Sequence, residues 1–136
     1  MLIDWRGFRL NAQVCYDLRF PVWSRNRRSD PYDLLVYVAN WPSRRHNAWT
    51  TLLRARAIEN LCYVAGVNRC GTDGNGLAYI GGSAAIDYLG TTLADLGEAA
   101  GIATVALDSN ALLAFREKFP FDRDADGFTL HRDAGG

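Results

Sequence analysis

Phe8, Leu10, Ala12 and Val14 alternate with Arg9, Asn11 and Gln13. A period of two predicts a strand with one apolar face. The strand runs into Cys15 and should end near Asp17, before Pro21 stops regular pairing. Ser24 to Pro31 is charged and turn-rich, which predicts a loop or the start of a short helix. Leu34 to Ala39 is an unbroken apolar run, the pattern of a strand buried on both faces. Asn40-Trp41-Pro42 ends it. From Ala48 to Asn60 the spacing turns helical: Trp49, Leu52, Leu53 and Ala57 share one face, with Arg56 beside them. Cys62 to Val67 reads as a second apolar strand. Strand, helix and strand in this order predict a parallel crossover unit.

The remainder is more broken. Thr72-Asp73-Gly74-Asn75-Gly76 holds both Asp-Gly and Asn-Gly, strong turn signals. Ser83 to Ile86, Thr91 to Leu93 and Ile102 to Leu107 are strand candidates, with a turn at Asp87 to Gly90 between the first two. Asp108 or Ser109 is placed to cap a helix carrying Leu112, Phe115 and Phe119, which Pro120 ends. Phe128 to Leu130 is a candidate terminal strand. The pattern as a whole is mixed α/β, with strands outnumbering helices.

Composition narrows the class. A chain of 136 residues suffices for one domain with a modest core. Hydrophobic residues make up 49% and charged residues 22%, ordinary values for a globular protein. Fifteen basic and fifteen acidic side chains cancel, so no general pull toward nucleic acid or an anionic membrane is expected. Arg25, Arg27 and Arg28 cluster locally and read as a solvated loop. No apolar run reaches the length of a membrane span, and Met1 to Arg6 has no signal-peptide core. Cys15, Cys62 and Cys70 cannot all pair with one another, and their spacing fits no zinc motif. A reducing, cytoplasmic setting follows as the expectation.

Among the residues able to carry chemistry, Cys15 is placed where a strand gives way to a turn. A nucleophile there projects past the sheet edge, and the following N–H groups can face the same spot and hold an oxyanion. By position alone, Cys15 fits a small buried hydrophobe equally well. The chain offers it few helpers. His46 lies in an arginine-rich loop and His131 in a polar tail, both expected to face solvent. Lys118 is the only lysine and should face water or a local carboxylate. Gly74 and Gly76 have no helix after them, so a hairpin is expected there rather than a phosphate loop. No cluster of metal ligands is seen.

The string Val14-Cys15-Tyr16-Asp17-Leu18-Arg19-Phe20-Pro21 resembles the nucleophile segment of nitrilase-superfamily carbon–nitrogen hydrolases. The resemblance continues in order through Tyr37 to Pro42, Ala55 to Asn60, Val67 to Arg69, and Gly82-Ser83 with Ile86 and Gly90. Arg116-Glu117-Lys118-Phe119-Pro120 resembles the ω-amidase-like branch. The resemblance implies the C-terminal part of a four-layer α-β-β-α sandwich. Residues 1–136 would then form a single partial domain whose N-terminal part is absent. It also implies a cysteine, a lysine and a glutamate acting without cofactor or metal on a small amide, through a thioester. Cys15 matches the nucleophile, and the backbone N–H of Tyr16 the oxyanion donor. The family's lysine and catalytic glutamates precede the cysteine segment by more than the fourteen residues found here. The isolated chain is therefore expected to be inactive and to expose apolar surface. Glu59 and Lys118 match other family positions.

The same resemblance implies substrate contact at Asn40 and Trp41, although Trp41 fits simple packing nearly as well. Arg19 and Glu59 would support the nucleophile loop as an ion pair. Asn68 and Arg69 are candidates for a substrate carboxylate, with a structural salt bridge preferred. Cys62 and Cys70 are read as structural. The expected substrate is a 2-oxo-dicarboxylate monoamide. The expected partners are that small molecule and, in the full-length form, further copies in a homodimer or higher homo-oligomer, with no nucleic acid and no membrane. Two rivals are a non-catalytic interaction protein that keeps the family's assembly surface, and an unrelated cysteine hydrolase using His46 or His131.

Overall fold

The alternation of Phe8 to Val14 becomes the second strand of a six-stranded sheet. The computed structural model describes residues 1–129. Its strands are β1 (Leu2–Trp5), β2 (Phe8–Val14), β3 (Leu34–Ala39), β4 (Tyr63–Asn68), β5 (Cys70–Thr72), β6 (Ala78–Ile80), β7 (Ala84–Ile86) and β8 (Thr92–Asp95). The helices are α1 (Pro21–Ser24), α2 (His46–Asn60) and α3 (Ser109–Lys118). β5 and β6 form a separate two-stranded ribbon around the Asp73 turn. There the carboxylate of Asp73 accepts from the N–H groups of Asn75 and Leu77 at 2.9 and 3.0 Å.

The centre of the sheet is the expected crossover unit. β2, β3 and β4 are parallel, in the register Val14↔Val38↔Val67. α2 connects β3 to β4 and covers one face. Trp49, Leu53 and Ala57 pack there against Leu35, Tyr37, Ala39 and Val64. The approach is close because β4 carries Gly66: a Cβ there would come within 2.4 Å of Leu53 Cδ1 and 2.9 Å of Trp49 Cζ2. Beyond β4 the sheet turns antiparallel through β7 and β8. α3 begins as expected, with the Asp108 carboxylate accepting from the Ala111 N–H at 3.0 Å.

Several expectations are corrected. β2 ends at Val14 rather than near Asp17, because the chain coils into a 3-10 turn at Cys15. β3 is buried on one face only: Leu35, Tyr37 and Ala39 lie inside, whereas Val38 on the other face is exposed. β1 went unpredicted; it pairs antiparallel to β2 through a tight turn at Arg6-Gly7. Ile102 to Leu107 is not a strand. It pairs with neither edge strand of the sheet, and Ile102 is 94% exposed. Phe128 and Thr129 form no strand, and Leu130 lies outside the described residues. No described helix is long and apolar enough to cross a membrane.

Candidate active site

Parallel β2, β3 and β4 bring three loops to one sheet edge, because their carboxyl ends point the same way. Cys15 follows β2, Asn40 follows β3 and Arg69 follows β4. This is the edge at which open α/β sheets place their ligands.

Cys15 is half-buried and packs on the rim of the core. Its φ of 43° is left-handed, a conformation that costs a side-chain-bearing residue on the order of 1–3 kcal/mol and needs its surroundings to enforce it. The enforcement is visible. Asp17 reaches back so that its carboxylate accepts from the Val14 N–H at 2.9 Å, and its carbonyl accepts from the Phe20 N–H at 3.0 Å. Leu18 is fully buried as the anchor of the turn. Tyr16 is exposed, its ring edge-on to Phe20 at 5.3 Å. Near the start of a 3-10 turn, its N–H has no partner within the turn.

The support for this turn is Arg56. Its guanidinium is 4% exposed; it donates to the Leu18 carbonyl at 2.6 Å and to Glu59 Oε1 at 2.8 Å. The expected Arg19–Glu59 pair is therefore overturned. Glu59 is three residues from Arg56 on the same helix, within side-chain reach. Arg19 instead lies over the Trp41 ring at 4.9 Å. Sequence reasoning noted Arg56 only as a neighbour of the apolar face. The signal for it was the spacing of three to an acid, from a position that also faces the core.

Trp41 is 3% exposed, and its indole N–H donates to the Arg45 carbonyl at 2.8 Å. It also stacks obliquely on Trp49 at 5.6 Å. The packing role is thus the one observed, and Asn40 beside it remains exposed. Asn68 is a clasp. Its side chain accepts from the Trp41 N–H at 2.7 Å and donates to the carbonyls of Trp41 and Gly81 at 3.1 and 2.7 Å. Those commitments remove it from substrate binding. Arg69 forms no salt bridge among the described residues, against expectation; its guanidinium lies over the Tyr79 ring at 4.7 Å.

The remaining candidates separate clearly. His46 opens α2 half-buried, and a Cβ on Gly82 would meet its Cε1 at 2.4 Å. It therefore packs against backbone instead of facing solvent, and no hydrogen bond joins it to Cys15. His131 lies outside the described residues. Lys118 sits over the Phe119 ring at 5.4 Å. Cys62 is fully buried, and burial pushes its thiol up from 9.0 to about 12, which makes it inert. Arg116 is spent on the Asp33 carboxylate and on the carbonyls of Tyr32 and Leu61, all within 2.8 Å. Among the described residues no three His, Cys, Asp or Glu side chains could share a metal.

The family model for carbon-nitrogen hydrolases matches residues 2–117. The chain belongs to the carbon-nitrogen hydrolase family. It is 53% identical to the omega-amidase YafV of Yersinia enterocolitica, over 95% of this chain and 50% of that protein. It is 37% identical to the 2-oxoglutaramate amidase of Bacillus subtilis, over 84% of this chain and 44% of the relative. Among solved structures, it superposes on the CN-hydrolase XC1258 of Xanthomonas campestris, which carries an arsenic adduct in its active site. The TM-score is 0.93 at 51% identity, covering 96% of this chain and 52% of that one. The fold is therefore the α/β fold of nitrilase-type hydrolases. The chain spans about half the length of the curated relatives it matches.

Proposed function

We propose that this chain carries the nucleophile of an amidase acting on a small amide with a distal carboxylate, such as a 2-oxo-dicarboxylate monoamide. The observation that carries the proposal is the Cys15 turn: a thiol in a left-handed conformation at the carboxyl edge, followed by the free N–H of Tyr16. The Cys15 sulfur attacks the amide carbon as a base takes the thiol proton. The N–H of Tyr16 holds the oxyanion. The base returns that proton to the amide nitrogen, which leaves as ammonia, and water then hydrolyses the thioester to acid and free thiol. Two relatives named as ω-amidase and 2-oxoglutaramate amidase support this substrate class. Arsenic is thiophilic, so the adduct in the Xanthomonas protein supports a cysteine-centred site.

Among the described residues no histidine, carboxylate or lysine is hydrogen-bonded to Cys15, and Lys118 lies over Phe119. Members of one catalytic unit are worth little separately, so the chain by itself should not turn over amide. The test is ammonia release from succinamate and 2-oxoglutaramate by residues 1–136 alone, and then mixed with the N-terminal half of an ω-amidase relative. Activity should appear only on mixing, with an acyl adduct on Cys15 detectable by mass spectrometry, and vanish in Cys15→Ala. Turnover that survives Cys15→Ala would falsify the assignment. A clear preference for a nitrile would sink the substrate class. The exposed Val38 face favours a second reading, a non-catalytic chain that binds a partner sheet; binding on mixing without turnover would support it.

A further inference from the structure

We propose that Arg69 receives the distal carboxylate of the substrate and so positions the reactive amide over Cys15, an inference that rests on the amidase reading above. The register sets the distance. Cys15 and Arg69 follow β2 and β4, with only β3 between them. Two strand spacings put the backbones about 10 Å apart, a gap that an extended arginine and a five-carbon monoamide together bridge.

Arg69 is exposed and has no acid partner among the described residues, yet it is not loose. Its guanidinium lies over Tyr79, whose ring is 8% exposed and whose hydroxyl donates to Asp73 Oδ2 at 3.0 Å. Stacking engages the face of a guanidinium and leaves its in-plane N–H donors free for a planar anion. Asp73 stays charged, held below the usual carboxylate range first by the Leu77 N–H and in small part by Arg69, but it forms no ion pair with Arg69: its oxygens accept from the Tyr79 hydroxyl and from the turn N–H groups of Asn75 and Leu77.

The other arginines are less suited. Arg56 and Arg116 spend their donors on main-chain carbonyls and carboxylates. Arg19 is half-buried against Trp41. Arg44 and Arg45 stand exposed in the 3-10 turn before α2.

The test needs no turnover. Cys15 is alkylated with N-bromoacetylglycine or with its uncharged twin, N-bromoacetylglycinamide, and the Cys15 peptide is followed by mass spectrometry. Both probes place the terminal group as many bonds from the reacting carbon as 2-oxoglutaramate places its carboxylate. Relative to N-acetylcysteinamide in solution, Cys15 should prefer the acid over the amide. Arg69→Gln should reduce that preference by about three- to five-fold, the scale of a solvent-accessible guanidinium–carboxylate pair, with the neutral probe's rate unchanged. Arg69→Lys should keep part of the preference, since the charge remains without the fork. No preference in the parent chain, an equal preference in Arg69→Gln, or loss of preference in Arg19→Gln instead would each overturn the proposal. Failure of the mixed chains to hydrolyse amide would count against the amidase reading and leave this result standing.

Discussion

The two faces of the central sheet both carry apolar side chains and meet different fates. On the α2 face, Leu35 and Tyr37 are 0% exposed and Val64 is 1%. On the opposite face Val14, Val38 and Val67 form a row across three paired strands, 66%, 57% and 51% exposed. β2 even turns its polar Asn11 and Gln13 to the α2 face and its apolar residues to the open one, so the exposure of the valines reflects missing cover and not a polar sequence on that side. A contiguous apolar row at the edge that bears Cys15 is a surface that a further layer would bury. The open face also runs beneath the edge that bears Cys15, so whatever covers it would lie beside the thiol.

The largest expected effect comes from removing the cover. Trp49→Ala deletes a fully buried side chain from α2 and should cost ~3–5 kcal/mol in urea unfolding. Gly66→Ala pushes α2 outward from the same face and should cost ~1–3 kcal/mol. Val38→Ala, its counterpart on the open face, should stay within ~0.5 kcal/mol. A Val38→Ala cost as large as that of Trp49→Ala would mean that the open face is covered in solution, and the comparison would fail.

The next effect tests the joint between α2 and the Cys15 turn. Glu59→Ala strands the Arg56 charge, which is 4% exposed, while Glu59 itself is partly solvated. Discounted for that solvation, the cost should be ~1–3 kcal/mol. A double-mutant cycle should give a clear coupling between Arg56 and Glu59, and a weaker one between Arg19 and Glu59. Coupling of the opposite order would restore the pairing of Arg19 with Glu59 that the resemblance had implied.

These residues show what was legible from sequence. The crossover unit was, because a period of two and a period near four are local facts, although on β2 it is the polar Asn11 and Gln13 that the α2 side buries. The Cys15 turn was legible from a strand pattern interrupted before Pro21. The Arg56–Glu59 pair was within reach, but the family pattern drew attention to Arg19. The Asn68 clasp was not legible, since it joins Trp41 and Gly81 across three loops distant in sequence. Ile102 to Leu107 misled because alternation is local, whereas pairing requires a free edge in the right place. The exposure of Val38 was missed because apolarity does not say which layer, if any, lies above.

A smaller effect separates the thiols by pH. Cys62 belongs to the covered core, and burial raises its thiol from 9.0 to about 12. The folded state then holds a proton that the unfolded chain releases above 9.0, so this contribution is fully present below 9.0 and is lost as pH rises toward 12. The slope is ~1.4 kcal/mol per pH unit for one proton. Melts of Cys62→Ala between pH 8 and pH 10 should therefore show a flatter alkaline decline than the parent, in a background of lower stability from the lost packing. Equal slopes would show that the Cys62 thiol is not sealed from solvent. At pH 8, below that window, a disulfide reagent should label Cys15 readily and leave Cys62 untouched.

The smallest effect on stability should bring the clearest change in behaviour. Val38 sits at the middle of the open row, flanked in register by Val14 and Val67. Val38→Lys removes little packing, because that side chain is 57% exposed, and should alter unfolding by no more than ~0.5 kcal/mol. It does place a charge where a second apolar layer or a second copy would need to dock, and desolvating an unpaired ammonium there is costly. Light scattering should therefore show less self-association for Val38→Lys than for the parent chain. Mixing with the N-terminal half of an ω-amidase relative should show weaker capture as well. Leu113→Lys, on an exposed position of α3 away from the row, is the control. If that variant reduced association equally, charge alone would be responsible and the open face would lose its special status. If Val38→Lys associated as fully as the parent, the row of valines would not be where the chain docks.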